Sequence, residues 1–217
     1  EVTLTILSNQ KTSDVTVTRG ALDTSAFYEI RKQGNVSFGY IELSTFGTDT
    51  AKQVEIALEM FKKKNIQTLV IDLRDNGGGY LTAATDILDL FFTSDEVIYQ
   101  MKEKNSAAKK YYAESDKKYE FENGYILVNE NTASASELTA GALQSEKGYQ
   151  LIGKTTYGKG SAQTQKTLSD GSVLKYTYAK WMIPNGTCIN GKGLTPDEEV
   201  DNVSLSGITT KDVKETL

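Results

Sequence analysis

The sequence of 217 residues contains no histidine, a single cysteine (Cys188) and only two prolines. Without histidine there can be no Ser-His-Asp triad, no histidine general base and no His-carboxylate metal site. A lone cysteine excludes an internal disulfide and, with no histidine beside it, argues against a zinc site. We therefore expect no metal and no cofactor, and any serine nucleophile must use a different base.

Long apolar runs and an excess of positive charge are also absent. No apolar run approaches the roughly 20 residues of a transmembrane helix, so the composition is typical of a soluble globular protein. The formal net charge of -5 argues against non-specific binding to nucleic acid. Acidic residues interrupt the lysine-rich stretch 102–118, which we interpret as a solvated face. The chain begins with Glu1 and has no signal peptide, so we expect a fragment whose targeting segment, if any, lies upstream.

Hydrophobic periodicity predicts the order of the elements. Apolar residues alternate on both sides of a polar turn within residues 1–20, which indicates a hairpin that must dock on something, because two strands alone are marginal. Strands and amphipathic helices then alternate, with strands near 37–43, 68–73, 96–101, 124–128 and 149–153, and helices near 50–64, 81–91 and 134–147. The unbroken apolar run at 68–73 is typical of a parallel strand covered on both faces. The fold class is therefore α/β, with another hairpin near 161–183.

Two stretches could carry a serine site. "ENTASASE" follows a strand and opens a helix, where the macrodipole and the unpaired backbone N–H groups favour developing negative charge. "YGKGSAQ" places Lys159 between two glycines, which allow its backbone to approach another segment closely. Lysine can replace histidine as a base when desolvation keeps its amine neutral. In an extended chain Gln163 lies on the same side as Lys159 and could orient the amine.

Each of these features also has a plain structural interpretation. Ser134 and Glu137 form a Ser-x-x-Glu capping box, and from spacing alone capping is favoured over catalysis. Lys159 in a Gly-Lys-Gly turn is most often an exposed lysine. "DNGGG" at 75–79 could bind an oxyanion or a phosphate, but glycines after a strand usually make a tight turn, and no Lys-Ser/Thr follows to complete a P-loop.

Five blocks in order resemble the carboxyl-terminal processing proteases, also called tail-specific proteases, which are serine peptidases with a Ser-Lys dyad. They run from about residue 36 to 200 and read "VIDLRDNGGGYL", "ILVNENTASASELTAGALQ", "LIGKTTYGKGSAQ", "LSDGSVLKYTYAKWMIPNG" and "GKGLTPD". The resemblance implies a ClpP/crotonase-like spiral core with additional β-hairpins. It also implies polypeptide substrates with apolar C-termini and an extracytoplasmic setting in bacteria. The oligomeric state stays open, a homo-oligomer included.

The resemblance implies a role for individual residues of the site. Ser134 matches the nucleophile, Lys159 the general base and Gln163 the residue that orients it. The oxyanion donors match the backbone N–H groups of Ala135 and of a glycine in "DNGGG", which we assign to Gly78.

Position within the helix agrees with this choice of serine, because Ser134 lies at the helix mouth whereas Ser136 lies inside the first turn. Three aromatic residues are candidates for the walls of the substrate pocket, although core packing is the favoured role for each: Tyr40, Phe46 and Trp181.

Two departures from the family pattern affect the expected organisation. The family usually carries a complete PDZ domain before its core, whereas residues 1–20 resemble only the last hairpin of one; residues 21–217 would be the protease core. Lys154 stands where the family tends to have an acidic residue. Two other functions are compatible with the same fold: a module that binds peptides or apolar ligands without hydrolysis, and crotonase-like acyl-CoA chemistry with Asp75 or Glu137 as the carboxylate.

Overall fold

The computed structural model describes residues 2–8, 11–18, 24–115 and 119–201. These residues form twelve strands and three α-helices. The helices are α1 (Thr50–Lys63), α2 (Leu81–Leu88) and α3 (Ala135–Lys147). The strands are β1 (Val2–Ser8), β2 (Lys11–Val17), β3 (Ala26–Gln33), β4 (Val36–Leu43), β5 (Thr68–Asp72), β6 (Val97–Glu103), β7 (Lys109–Tyr112), β8 (Asn123–Val128), β9 (Gln150–Gly153), β10 (Ser161–Thr167), β11 (Val173–Met182) and β12 (Glu198–Glu199).

A six-stranded sheet forms the centre, in the order β12-β9-β8-β5-β4-β3. Neighbouring strands from β12 to β4 are parallel, and β3 joins the edge antiparallel to β4. Helix α1 connects β4 to β5, and α3 connects β8 to β9, so each forms a βαβ crossover. The predicted α/β class is confirmed.

The helices bury their apolar faces in one core cluster with this sheet. Helix α1 contributes Val54, Leu58 and Phe61, while Leu69 and Ile71 of β5 are fully covered. Helix α3 begins where predicted and ends at Gly148, whose left-handed φ of 69° suits a glycine. Among the described residues no helix combines the length and hydropathy needed to cross a bilayer.

A second, antiparallel sheet has the order β10-β11-β6-β7. The predicted hairpin near 161–183 is confirmed as β10 and β11. Strand β7 pairs with β6, so part of the polar segment after residue 101 is a hairpin, while residues 116–118 lie outside the described part of the chain.

Strands β1 and β2 pair as the predicted hairpin, with Val2 opposite Val17. The expectation that this hairpin docks on another element is wrong for the described residues, because its apolar side chains face solvent: Leu4 is 48% exposed and Ile6 is 43% exposed. Positions 1, 9, 10 and 19–23 of the predicted hairpin and its linker, and residues 202–217 of the predicted core, lie outside the described residues.

Candidate active site

Three loops meet at one edge of the central sheet. They follow β5, β8 and β9, which are adjacent parallel strands, so their carboxyl ends lie side by side. In open α/β sheets this edge is where ligands bind. The loops carry the three stretches predicted to be functional: "DNGGG" at 75–79, "NTAS" at 131–134 and "YGKG" at 157–160.

Ser134 occupies the N-cap of α3 in an unusual backbone conformation. Its φ is 61° and its ψ is -118°, whereas an N-cap residue ordinarily lies in the β region. A non-glycine residue held in such a region stores strain on the order of 1–3 kcal/mol, and strain of this kind clusters at functional sites. The side chain of Ser134 is partly exposed. A cap alone needs no such strain, so Ser134 differs from an ordinary N-cap residue.

Ser136 is placed quite differently. It is fully buried, and its hydroxyl donates to the backbone oxygen of Asn76 at 2.9 Å. The same oxygen accepts the N–H of Ala133 at 3.0 Å. Ser136 therefore holds the loop after β5 against α3 and presents no hydroxyl to solvent.

Glu137 joins the serine loop to the lysine loop. Its carboxylate is fully buried and accepts four hydrogen bonds. One oxygen accepts the Thr156 hydroxyl at 2.6 Å and the Gly158 N–H at 2.7 Å, while the other accepts the N–H groups of Ser134 at 2.8 Å and Lys159 at 2.9 Å. Four donors fill the acceptor sites of an ionised carboxylate. From the sequence, Glu137 was identified as half of a capping box and as a candidate carboxylate for crotonase-like chemistry, and nothing pointed to its contact with the lysine loop.

The backbone around Lys159 packs tightly on a later loop. A Cβ added to Gly158 would lie 2.7 Å from the nitrogen of Gly193, and one on Gly160 would lie 2.8 Å from the nitrogen of Asn190. The close backbone approach predicted from the Gly-Lys-Gly pattern is confirmed. The side chain of Lys159 is nevertheless exposed. Burial by the described residues therefore does not supply the desolvation expected for a neutral lysine.

Gln163 lies on β10, next to a β-bulge between Ala162 and Gln163, and its side chain is exposed. Within the part of the chain that the structure describes, no hydrogen bond joins the Lys159 amine to the side chain of Ser134 or Gln163. In this conformation Ser134 and Lys159 are linked through the Glu137 carboxylate, which accepts the backbone N–H group of each.

Gly78 lies directly against the serine. A Cβ added to it would lie 2.9 Å from both the Cβ of Ser134 and the nitrogen of Ala135, and its φ of 98° suits glycine. The N–H of Ala135 belongs to the first residue of α3, where no intrahelical acceptor exists. The N–H of Gly78 donates to Oδ1 of Asn76 at 2.9 Å. An oxyanion bound here would therefore compete with Asn76 for this donor.

Asp75 connects the loops that follow β5 and β8. Its Oδ1 accepts the side-chain amides of Asn129 at 2.9 Å and Asn131 at 2.8 Å, and its N–H donates to Oδ1 of Asn129 at 2.9 Å. Asp75 has a left-handed φ of 59°. The hydrogen bonds from Asn131 and then Asn129 lower the pKa of the Asp75 carboxyl. This contact was not predicted, because neither asparagine stood out in the sequence.

Tyr40, a candidate pocket wall, belongs to a polar network at the end of β5. Its hydroxyl donates to the buried Asp72 at 2.7 Å, and Asp72 also pairs with Arg74. The Arg31 guanidinium lies over the Tyr40 ring, 3.4 Å from its centroid. Burial, followed by the charge of Asp72, raises the pKa of Tyr40. The network fixes the strand end from which the glycine loop departs.

The other two candidate wall residues are buried as well. Phe46 is 1% exposed, and its backbone pairs with the glycine loop, donating to the oxygen of Gly78 at 3.1 Å and accepting the N–H of Tyr80 at 2.8 Å. Trp181 is 7% exposed and belongs to the core cluster. All three side chains are thus buried, in keeping with the favoured role in core packing, and a part in the substrate pocket stays a prediction.

Lys154 follows β9 and is paired with two carboxylates. Its amine lies 2.7 Å from Asp201 and 3.0 Å from Glu199. The hydrogen bond that the amine donates to Asp201, and then the one it donates to Glu199, raise the pKa of Lys154. Glu199 and Asp201, which lie at the end of the described residues, thus compensate the positive charge of Lys154.

Comparison with known proteins gives concordant matches. The family model described as "Peptidase family S41" matches residues 37–200. The chain is 40% identical over 175 residues to the carboxy-terminal processing protease CtpB of Bacillus subtilis (strain 168), covering 81% of this chain and 36% of that protein. It is 35% identical over 188 residues to CtpA of the same organism, covering 87% of this chain and 40% of that protein.

Among solved structures, the photosystem II D1 C-terminal processing protease matches with a TM-score of 0.74 and 28% identity, over 88% of this chain and 52% of that one. The chain spans about two fifths of the length of the two Bacillus relatives, since it covers 36% and 40% of them.

Proposed function

Since the chain belongs to peptidase family S41, we propose that it is a serine endopeptidase that cleaves polypeptides near their C-termini with a Ser-Lys dyad. One observation carries the proposal. Ser134, strained at the mouth of α3, and Lys159 donate their backbone N–H groups to the same buried carboxylate oxygen of Glu137. This shared acceptor holds the backbone of the proposed nucleophile next to that of the proposed base in a chain that has no histidine.

In the proposed reaction the neutral amine of Lys159 takes the proton from Ser134 as its hydroxyl oxygen attacks the substrate carbonyl. The N–H groups of Ala135 and Gly78 stabilise the oxyanion, for which the Gly78 N–H must leave or share its bond to Asn76. Lys159 then protonates the leaving amine. Water, deprotonated by the same amine, hydrolyses the acyl-enzyme.

The exposure of Lys159 gives substrate binding a second role. A lysine stays neutral near physiological pH only if its environment disfavours the ammonium, and desolvation does this most directly. An apolar polypeptide lying over Lys159 would exclude water from the amine as it delivers the scissile bond. Gln163, two residues along β10 from Ser161, would orient the amine once it is covered.

The finer organisation belongs to the proposal too. A ClpP/crotonase-like spiral accords with the parallel sheet and the loops at its carboxyl edge. The β1–β2 hairpin within residues 1–20 accords with the end of a PDZ domain, with residues 21–217 as the protease core. Apolar C-termini as substrates and an extracytoplasmic setting follow the family resemblance.

Crotonase-like acyl transfer is less well supported. That chemistry would need a free carboxylate at the site, and the two candidates are both engaged. Asp75 accepts two asparagine amides, and Glu137 accepts four donors. The other alternative, a module that binds peptides without hydrolysing them, is distinguished from a protease by the cleavage experiment described next.

The test is cleavage of a peptide with an apolar C-terminus, together with labelling by a serine-directed phosphonate. Ser134→Ala should abolish both. Lys159→Ala should lower kcat/KM by about 10²-fold or more, and Lys159→Arg, which keeps the charge but cannot act as a base, should be equally inactive. Ser136→Ala is the control for labelling. Intact cleavage in both Ser134→Ala and Lys159→Ala would refute the dyad, and full activity of Gln163→Ala would leave Gln163 a structural residue.

A further inference from the structure

Three lysines from neighbouring strands share one face of the second sheet. Lys180 of β11 is directly opposite both Ser161 of β10 and Lys102 of β6. Residues opposite each other in antiparallel strands project to the same face. Gln100, two residues before Lys102 and therefore on this face, is opposite Lys110 of β7. We call Lys102, Lys110 and Lys180 the lysine face.

The lysine face adjoins the proposed base. Gly160 packs its backbone on the loop at Asn190, so the residues on either side of it, Lys159 and Ser161, project away from that loop. Strands lie about 4.8 Å apart, which places the backbones of Lys180 and Lys102 roughly 5 and 10 Å from that of Ser161. The lysine face is thus a lateral continuation of the surface that holds Lys159.

The positive charge of the lysine face is not neutralised by its neighbours. All three side chains are exposed, and among the described residues no salt bridge involves them. Glu103, adjacent in sequence, is opposite Ala179 and projects to the other face. Lys109 also projects to that other face, its amine 5.0 Å from the centroid of the Tyr111 ring. Successive side chains of a strand point to opposite faces of the sheet. Lys102 and Glu103, which are neighbours in the sequence, therefore lie on different faces.

Such an arrangement lowers stability unless something occupies it. Like charges directly opposite each other, as Lys102 and Lys180 are, repel. The whole chain is acidic, with a formal net charge of -5, so the lysine face is a local exception. A negatively charged group placed across the three strands would relieve the repulsion and gain complementary contacts.

We propose that the lysine face is a subsite for acidic side chains of the polypeptide substrate. The inference rests on the proposed protease function. Asp or Glu residues of a substrate bound at Ser134 and Lys159 would contact Lys180 first, and Lys102 and Lys110 further across the sheet. Substrates with lysine or arginine at the same positions would be repelled.

The test compares three peptides that share an apolar C-terminus and differ only in carrying Glu, Gln or Lys at a scanned position. At low salt the Glu peptide should have a kcat/KM about three- to tenfold above that of the Gln peptide at the best position, with the Lys peptide below both. The preference should shrink as the ionic strength rises. In the double variant Lys102→Gln/Lys180→Gln the ratio of Glu to Gln peptide should approach one.

Lys109→Gln is the control for face, since it removes one lysine charge from the opposite face of the same sheet; it should keep the preference. Equal kcat/KM for the three peptides, or an equal loss of preference in Lys109→Gln, would overturn the subsite and leave the protease assignment intact. If no peptide is cleaved, the proposed function fails. Binding of labelled peptides to Ser134→Ala then still decides the subsite: the Glu peptide must bind more tightly than the Gln peptide, and the double variant must lose the difference.

Discussion

Replacing Glu137 by glutamine should loosen the loop that carries the proposed base, Lys159, while changing almost no volume. Both carboxylate oxygens now accept two donors, at distances of 2.6–2.9 Å. In Glu137→Gln one oxygen becomes an amide nitrogen that donates, so it cannot accept the backbone N–H groups it faces, whereas the Thr156 hydroxyl can turn to accept from it. Whichever way the amide turns, a backbone N–H of the lysine loop, that of Lys159 or that of Gly158, loses its acceptor.

The magnitude follows from the hydrogen bonds removed. A bond to a charged group is worth about 1.5–3 kcal/mol, so one or two lost bonds cost about 1.5–6 kcal/mol of unfolding free energy. For a chain of this length that corresponds to a fall in Tm of roughly 3–24 °C. Catalysis should suffer separately, because a misplacement of about 1 Å between reacting groups can cost about 10²-fold in rate. We expect kcat/KM to fall by at least that factor in protein that is still folded.

The assay measures Tm by circular dichroism and peptide cleavage at a temperature well below the variant's Tm. Thr156→Val is the control: it removes one donor to Glu137 and the acceptor of the Leu194 N–H, but it leaves the bonds from Ser134 and Lys159. It should lower Tm, with a much smaller effect on kcat/KM. The reasoning is refuted if folded Glu137→Gln cleaves as fast as the parent chain, or if Thr156→Val loses as much activity.

Three further predictions concern the neighbouring loops. Gly78→Ala places a methyl group within 2.9 Å of the serine loop at a φ of 98°, so activity should fall by about 10²–10³-fold or more in the peptide assay; unchanged cleavage would remove Gly78 from the site. Ser134→Gly should relieve backbone strain and raise the unfolding free energy by about 1 kcal/mol while abolishing cleavage, and a lower Tm would contradict the strain. Asn131 and Asn129 hold the pKa of Asp75 below its usual value, so ionised Asp75 stabilises the fold above about pH 4 and this contribution is lost as the pH falls through the lowered pKa. The difference in unfolding free energy between the parent chain and Asp75→Asn should therefore shrink in acid. Denaturant titrations measure it, and a difference that stays constant down to pH 2 would contradict the stabilising role of the two asparagines.

The sequence predicted those features that depend on local pattern. Helix α3 begins after Ser134 and stops at Gly148 because a cap and a left-handed glycine are local signals. The strand β5 was evident from its apolar run, and the loop after it from its glycines. Parallel strands bring their carboxyl ends together, so the predicted loops had to meet once the α/β class was established.

The remaining features depend on contacts between distant parts of the chain. Strand β3 was missed because Phe27 and Ile30 of this edge strand are exposed, which leaves little alternation to detect. The second half of the Glu137 site lies 19 to 22 residues later in the chain, and no periodicity connects it to a capping box. The exposure of the Lys159 side chain also depends on whether other parts of the chain cover it, which its two glycine neighbours do not determine.

The loop that braces Lys159 sets an order of events during synthesis. Leu194 exchanges two hydrogen bonds with Thr156, at 2.7 and 3.1 Å, and the glycines beside Lys159 rest on residues 190–193. Ser134 leaves the ribosome well before this brace exists. A growing chain therefore carries the proposed nucleophile, while the loop of the proposed base is not braced until the last glycine-rich segment emerges. We expect the nascent protein to be unable to cut itself or its neighbours before its central sheet is complete.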